Sequence, residues 1–179
     1  MNPNTELDTP LSVNQIKKIL KGKANVYIYP DITKFNTLDE LLNPYGSTVI
    51  LYLMKPSFGH FTCINKLENG IIEFFDPYNI FPDKELNHIS DSQRIDLNQS
   101  KNHLSKLMKE SPYKLSYNHH AFQSKSNDIA TCGKHCIMRI FFKNLSLKEY
   151  NNMIKNITKK TKISADGIVN LFYKYMRNQ

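Results

Sequence analysis

Tryptophan is absent from this sequence, arginine is confined to Arg94, Arg139 and Arg177, and cysteine to Cys63, Cys132 and Cys136. An odd and small cysteine count excludes a disulfide-built scaffold and points to a reducing compartment, where a free thiol stays available for chemistry. No apolar run approaches the roughly 18 residues of a membrane-spanning helix, so neither a helical membrane protein nor a membrane partner is expected. Met1 to Thr9 show no basic start followed by an apolar block, so a secreted destination is not expected either. Neither a Gly/Ser linker nor an internal repeat divides the chain. The 179 residues read as one domain, 1–179, with residues 1–10 a flexible lead-in.

What is present is apolar and basic. Hydrophobic residues make up 40% and aromatics 11% of the chain, enough for a packed core. The formal charge is +8, from 24 basic against 16 acidic residues. Lysine, asparagine and isoleucine dominate, as an A/T-biased coding sequence would produce. A positive surface attracts phosphate backbones whatever its origin, so DNA is a candidate partner through the lysine-rich surface.

Local signals place helices, then strands, then helices. Ser12 can cap a helix with Val13, Ile16, Ile19 and Leu20 on its apolar stripe. Val26 to Tyr29 reads as a strand stopped by Pro30. Thr37 to Glu40 is a capping-box pattern opening a helix through Leu42. Thr48 to Met54 is a buried strand. Phe61 to Leu67 and Ile71 to Phe75 form a hairpin around Glu68-Asn69-Gly70, with Gly70 at the left-handed position. That register pairs Cys63 with Phe75 and Ile64 with Phe74, leaving both sheet faces apolar and covered. A two-residue Asn69-Gly70 turn would shift it. Pro82 to Gln99 reads as irregular, Ser100 to Met108 as a helix and Tyr113 to Tyr117 as a strand. Helices follow at Cys132 to Phe142, Ser146 to about Ile157, and about Ser164 to Met176. The pattern is that of an α+β domain.

The chemistry gathers around Cys132. A cysteine opening a helix meets the positive end of the macrodipole, which stabilises the nucleophilic thiolate. A small buried core residue is the plainer alternative. Gly133 permits close backbone approach by a substrate carbonyl, and Cys136, one turn deeper, reads as core. His60, after Gly59 at a strand start, is the candidate general base. In the three-residue-loop register it lies opposite Tyr78, with Asp76 two residues along on the same face and within reach. Asp76 would hold the imidazole tautomer, although Asp-Pro is also an ordinary turn signal. Gln123 would donate to the oxyanion beside the backbone N–H of Cys132; a plain polar loop residue is its alternative. His119, His120, Cys132, His135 and Cys136 invite a zinc reading, but their spacing does not match a zinc knuckle.

The order His60, Asp76, Gln123, Cys132 resembles that of the adenain-like and Ulp1-like cysteine proteases. The pieces are Gly59-His60-Phe61, Phe75-Asp76-Pro77, Phe122-Gln123-Ser124 and Thr131-Cys132-Gly133-Lys134-His135-Cys136, spanning about Thr48 to Phe142. Phe61 stands where that family commonly has tryptophan, and the interval from Gln123 to Cys132 is longer than usual. The resemblance implies a papain-like core: a central mixed β-sheet flanked by helices, with the nucleophile at the N-terminus of a central helix. It implies a cysteine endopeptidase, most like a viral or virophage capsid-maturation protease, cleaving virion precursors after a small-residue or Gly-Gly motif. His60, Asp76, Gln123 and Cys132 would be catalytic, with Gln123 and Cys132 forming the oxyanion hole. No cofactor or metal is expected, although DNA or a viral peptide could act as an activator. The expected location is the virion and host cytoplasm. Deconjugation of a ubiquitin-like modifier and non-enzymatic nucleic-acid binding are the competing readings.

Overall fold

The computed structural model describes residues 2–179. Five strands form one sheet in chain order: β1 (Asn25–Ile28), β2 (Ser47–Lys55), β3 (Phe58–Lys66), β4 (Ile72–Phe75) and β5 (Leu115–Tyr117). The outer pairs, β1–β2 and β4–β5, are parallel and the inner pairs antiparallel. The helices are α1 (Val13–Ile19), α2 (Leu38–Leu42), α3 (Asp91–Asp96), α4 (His103–Glu110), α5 (Cys132–Phe141), α6 (Leu147–Thr161) and α7 (Ala165–Arg177). This is an α+β fold with a central mixed sheet flanked by helices.

The hairpin follows the three-residue-loop register, pairing Cys63 with Phe75 and Ile64 with Phe74. Leu67 N–H donates to Ile71 O at 2.9 Å, and Gly70 sits at φ +75°, the left-handed conformation that glycine adopts without penalty. Alternation along the strands then builds two cores. Val49, Leu51, Phe61, Cys63 and Phe75 pack with residues of α1, α5, α6 and α7, while Ile50, Tyr52, Ile64, Ile72 and Phe74 pack with residues of α2 and α4.

An ion pair fastens α5 to the sheet. Arg139 Nε and one terminal nitrogen donate to the two carboxylate oxygens of Glu73 on β4, at 2.7 and 2.8 Å. Both side chains are buried, and Arg139 also donates to Leu145 O. A bidentate buried pair compensates its desolvation only with such geometry; here it fixes the axial position of the helix that begins with Cys132.

Two stretches differ from expectation. Residues 82–99, read as irregular, hold a 3-10 turn at Lys84–His88 and the helix α3, which is closed by a Ser90–Gln93 capping box. The 1–10 lead-in, of which Met1 lies outside the described residues, is tied to the body. Asn170 Nδ2 donates to Pro3 O and Thr5 O, Lys174 Nζ to Thr5 O, and Lys134 Nζ to Glu6 O at 2.6 Å. Ala130 N–H donates to Leu7 O at 2.7 Å. Burial pushes the Lys134 ammonium down to about 8, against the opposing pull of Glu6.

Candidate active site

Cys132 is the first residue of α5 and lines a cleft of about 300 Å³ together with His60, Tyr78, Glu85 and Gln123. It is 8% exposed, whereas Cys63 and Cys136 are fully enclosed. Cys136 takes the core role expected of it, donating to Phe61 O, and burial beside Cys63 pushes its thiol well up. Gly133 serves packing: a Cβ there would stand 2.9 Å from Ile16 and 3.3 Å from Phe61. The glycine thus lets α5 press onto α1 and β3.

The mouth of α5 is left open by a neighbouring contact. Thr131 is the N-cap residue, yet its side chain makes no capping hydrogen bond, because its hydroxyl donates to Asp166 of α7. The first backbone N–H groups of the helix therefore lack a side-chain cap and suit an anion or a developing oxyanion. Asp166 also accepts from Ser124 N–H at 3.1 Å and lies 3.0 Å from His135 Nε2. One carboxylate so joins the Gln123 loop, the N-cap and α5. Burial would raise its pKa, but the hydrogen bonds from His135 and Thr131 outweigh this and hold it below the usual carboxylate range. Burial keeps the His135 imidazole low, so it is neutral at pH 7.

His60 sits near the start of β3, opposite Tyr52 of β2, where the chain follows a bulge. Gly59 is needed there, since a Cβ would fall 1.7 Å from Tyr52 O. The His60 ring is 3% exposed and its Nε2 lies 3.1 Å from Asp76 Oδ1. Asp76 is held in turn: Oδ1 accepts Tyr78 N–H at 2.6 Å, and its backbone exchanges two hydrogen bonds with the Asn118 side chain. Burial alone would lower the His60 pKa, but the Asp76 carboxylate and, after it, the Cys132 sulfur raise it well above the usual histidine value. The Asp76 carboxylate thus stabilises the imidazolium that His60 becomes on taking up a proton.

Gln123 reaches the same cleft wall. Its Nε2 donates to Tyr78 Oη at 3.0 Å and to Ile129 O at 3.2 Å, and its Oε1 is buried without a partner. Both amide hydrogens are engaged, so donation to an oxyanion requires one of those bonds to break. The zinc alternative at His119, His120, Cys132, His135 and Cys136 does not assemble. Among the described residues, the potential metal-ligand cluster is His60, Asp76 and Glu85, with donor atoms within 4.8 Å of one another.

Two site residues were not singled out from the sequence. Tyr78 stacks on His60, with ring centroids 4.8 Å apart and planes 19° apart. The hairpin register, extended past the end of β4, already set the two opposite each other. Glu85 comes from a stretch with no apolar periodicity and carried no sequence signal.

No protein-family model matches the chain. Uncharacterized protein V9 of Sputnik virophage is 37% identical over 161 residues, covering 90% of this chain and 92% of that protein. Among solved structures, the central domain of the uncharacterized Lpg1148 protein from Legionella pneumophila is similar at TM-score 0.41 and 12% identity, over 95% of this chain and 99% of that one. The SUMO protease Ulp1, with its catalytic cysteine oxidized to a sulfinic acid, is similar at TM-score 0.40 and 12% identity, over 96% and 82%.

Proposed function

This chain belongs to the family of the Sputnik virophage protein V9, and we propose that it is a cysteine peptidase with Cys132 as nucleophile, His60 as general base and Asp76 as orienting acid. The observation that carries the reading is the buried His60 ring, with Nε2 on the Asp76 carboxylate and with Cys132, first residue of α5, lining the same cleft. The Cys132 proton passes to His60, and the thiolate attacks a peptide carbonyl at the mouth of α5. The oxyanion takes the free backbone N–H groups there, with Gln123 as the side-chain donor once it releases Ile129 O or Tyr78. The C–N bond breaks as His60 returns the proton to the departing amine, leaving an acyl-enzyme. Water, deprotonated by His60, then releases the acid.

The substrates proposed are capsid and other virion precursor proteins, cleaved after a small-residue or Gly-Gly motif during maturation in the virion or at the cytoplasmic assembly site. Kinship with a virophage protein supports that setting. Lysines 155, 159, 160 and 162 on and just after α6 offer a surface for DNA, which could act with a viral peptide as an activator. The test is incubation of the full chain with recombinant virophage capsid precursor and, separately, with SUMO-aminomethylcoumarin. Cleavage of the precursor alone, abolished by Cys132→Ala, is the expected outcome. Release of coumarin alone would favour a deconjugase, and an unaffected Cys132→Ala protein would remove the enzyme reading.

A further inference from the structure

Glu85 is a buried carboxylate, with no lysine or arginine paired to it, inside the cleft that holds Cys132. Its side chain is 7% exposed by residue area, and its Oε2 has no hydrogen-bond partner. His88 Nδ1 stands 3.4 Å from that oxygen, on a half-exposed ring, without forming a hydrogen bond to it. A carboxylate taken out of water and left unpaired costs several kcal/mol. A chain with a +8 charge has lysines to spare, yet none is placed on this group.

The position is built, not incidental. Glu85 rides on the 3-10 turn Lys84–His88, which follows Asp83 in a left-handed conformation at φ +65°. Asp83 is clamped there: its carboxylate accepts Tyr29 Oη at 2.7 Å, Tyr52 Oη at 3.1 Å and Ser105 N–H at 2.7 Å. Tyr52 is also the cross-strand neighbour of His60. One rigid unit therefore delivers both the histidine and the unpaired carboxylate to the cleft, with the carboxylate oxygen within 4.8 Å of a His60 ring nitrogen. The walls leading to it are apolar: Met54, Phe58 and Ile129.

We propose that Glu85 is a specificity residue that binds the cationic head of a substrate lysine or arginine within two residues of the scissile bond. The aliphatic stem of such a side chain suits walls made of Met54, Phe58 and Ile129, and its charged end meets the waiting carboxylate. His60, within 4.8 Å of this carboxylate, is also the group that hands the proton to the departing amine. This places the cation beside the bond being broken. The inference rests on the peptidase reading and adds a basic residue to the substrate class.

The test is cleavage of a proteome-derived peptide library by the full chain, with cut sites read by mass spectrometry. Lysine and arginine are expected to be enriched within two residues of the cut. Glu85→Gln loses the enrichment, and kcat/KM on a lysine-containing peptide falls about ten- to a hundredfold. Replacing that lysine by norleucine lowers wild-type kcat/KM by a similar factor and that of Glu85→Gln much less, so the loss follows the cationic head. Glu85→Lys turns the preference toward aspartate and glutamate. The melting temperature of Glu85→Gln stays level or rises, because an unpaired buried charge is removed; a fall would mark a structural role and overturn the proposal. Cleavage that depends on Cys132 but shows no basic enrichment also overturns it while leaving the peptidase intact. No Cys132-dependent cleavage of any peptide removes the peptidase reading itself.

Discussion

Tyr78 lies flat on His60, with ring centroids 4.8 Å apart, and its own backbone N–H holds the carboxylate that orients that histidine. A single residue thus controls the face of the imidazole and the position of its acid partner. The chain has no tryptophan to cover the histidine, and Tyr78 supplies an aromatic face from β4's far end. Removing the ring in Tyr78→Ala should lower kcat/KM by about three- to tenfold, the weight of one aromatic stack. Tyr78→Phe keeps the stack but releases Gln123 Nε2. A phenylalanine variant as impaired as alanine would locate the effect in the hydroxyl instead.

Asp76 raises the proton affinity of His60, so its imidazolium persists to higher pH. Asp76→Asn should therefore move the alkaline limb of the kcat/KM profile to lower pH. It should also cut the maximum by about 10²- to 10⁴-fold, as expected when the orienting acid is lost. An unmoved alkaline limb in a folded variant would show that the limb reports another group.

Gly59 is a steric requirement. With a Cβ 1.7 Å from Tyr52 O, Gly59→Ala must separate β2 from β3 just beside His60. We expect a loss of about 3 kcal/mol or more in stability, measured by urea unfolding. Full stability in this variant would contradict the strand pairing at His60.

Asp166 gathers the N-cap, the Gln123 loop and α5. Its carboxyl is held low in the folded protein, so its contribution is present above the unfolded value of about 4 and is lost as pH falls through the lower folded value. Asp166→Asn should cost about 1–3 kcal/mol near neutral pH. That difference from wild type should shrink as the solution is acidified, which thermal melts across the acid range would reveal. A constant difference at all pH values would mean that the charge plays no part.

Much of this was legible where the signal is local. Ser12 caps α1 as read, and the Gly70 loop sets the register that brings His60 toward Tyr78 and Asp76. Cys132 opens its helix as its flanking residues suggested. What escaped depends on partners remote in the chain. The lead-in is fixed by Lys134, Asn170 and Lys174, more than 120 positions away. The turn bearing Glu85 is organised by Tyr29 and Tyr52 through Asp83, contacts that no periodicity encodes. Gln123 is brought to the cleft, but its amide points at Tyr78 and Ile129, an orientation set by the fold of its loop.

The pairing of Cys132 with His60 is tested most directly by iodoacetamide labelling at about pH 7, mapped by mass spectrometry in wild type and His60→Ala. The thiolate is the species that reacts. Wild-type protein should label at Cys132 while the enclosed Cys63 and Cys136 stay unmodified, and His60→Ala should lose that selective reaction. Equal, slow labelling of all three cysteines, or a Cys132 rate indifferent to the loss of His60, would contradict the catalytic pair.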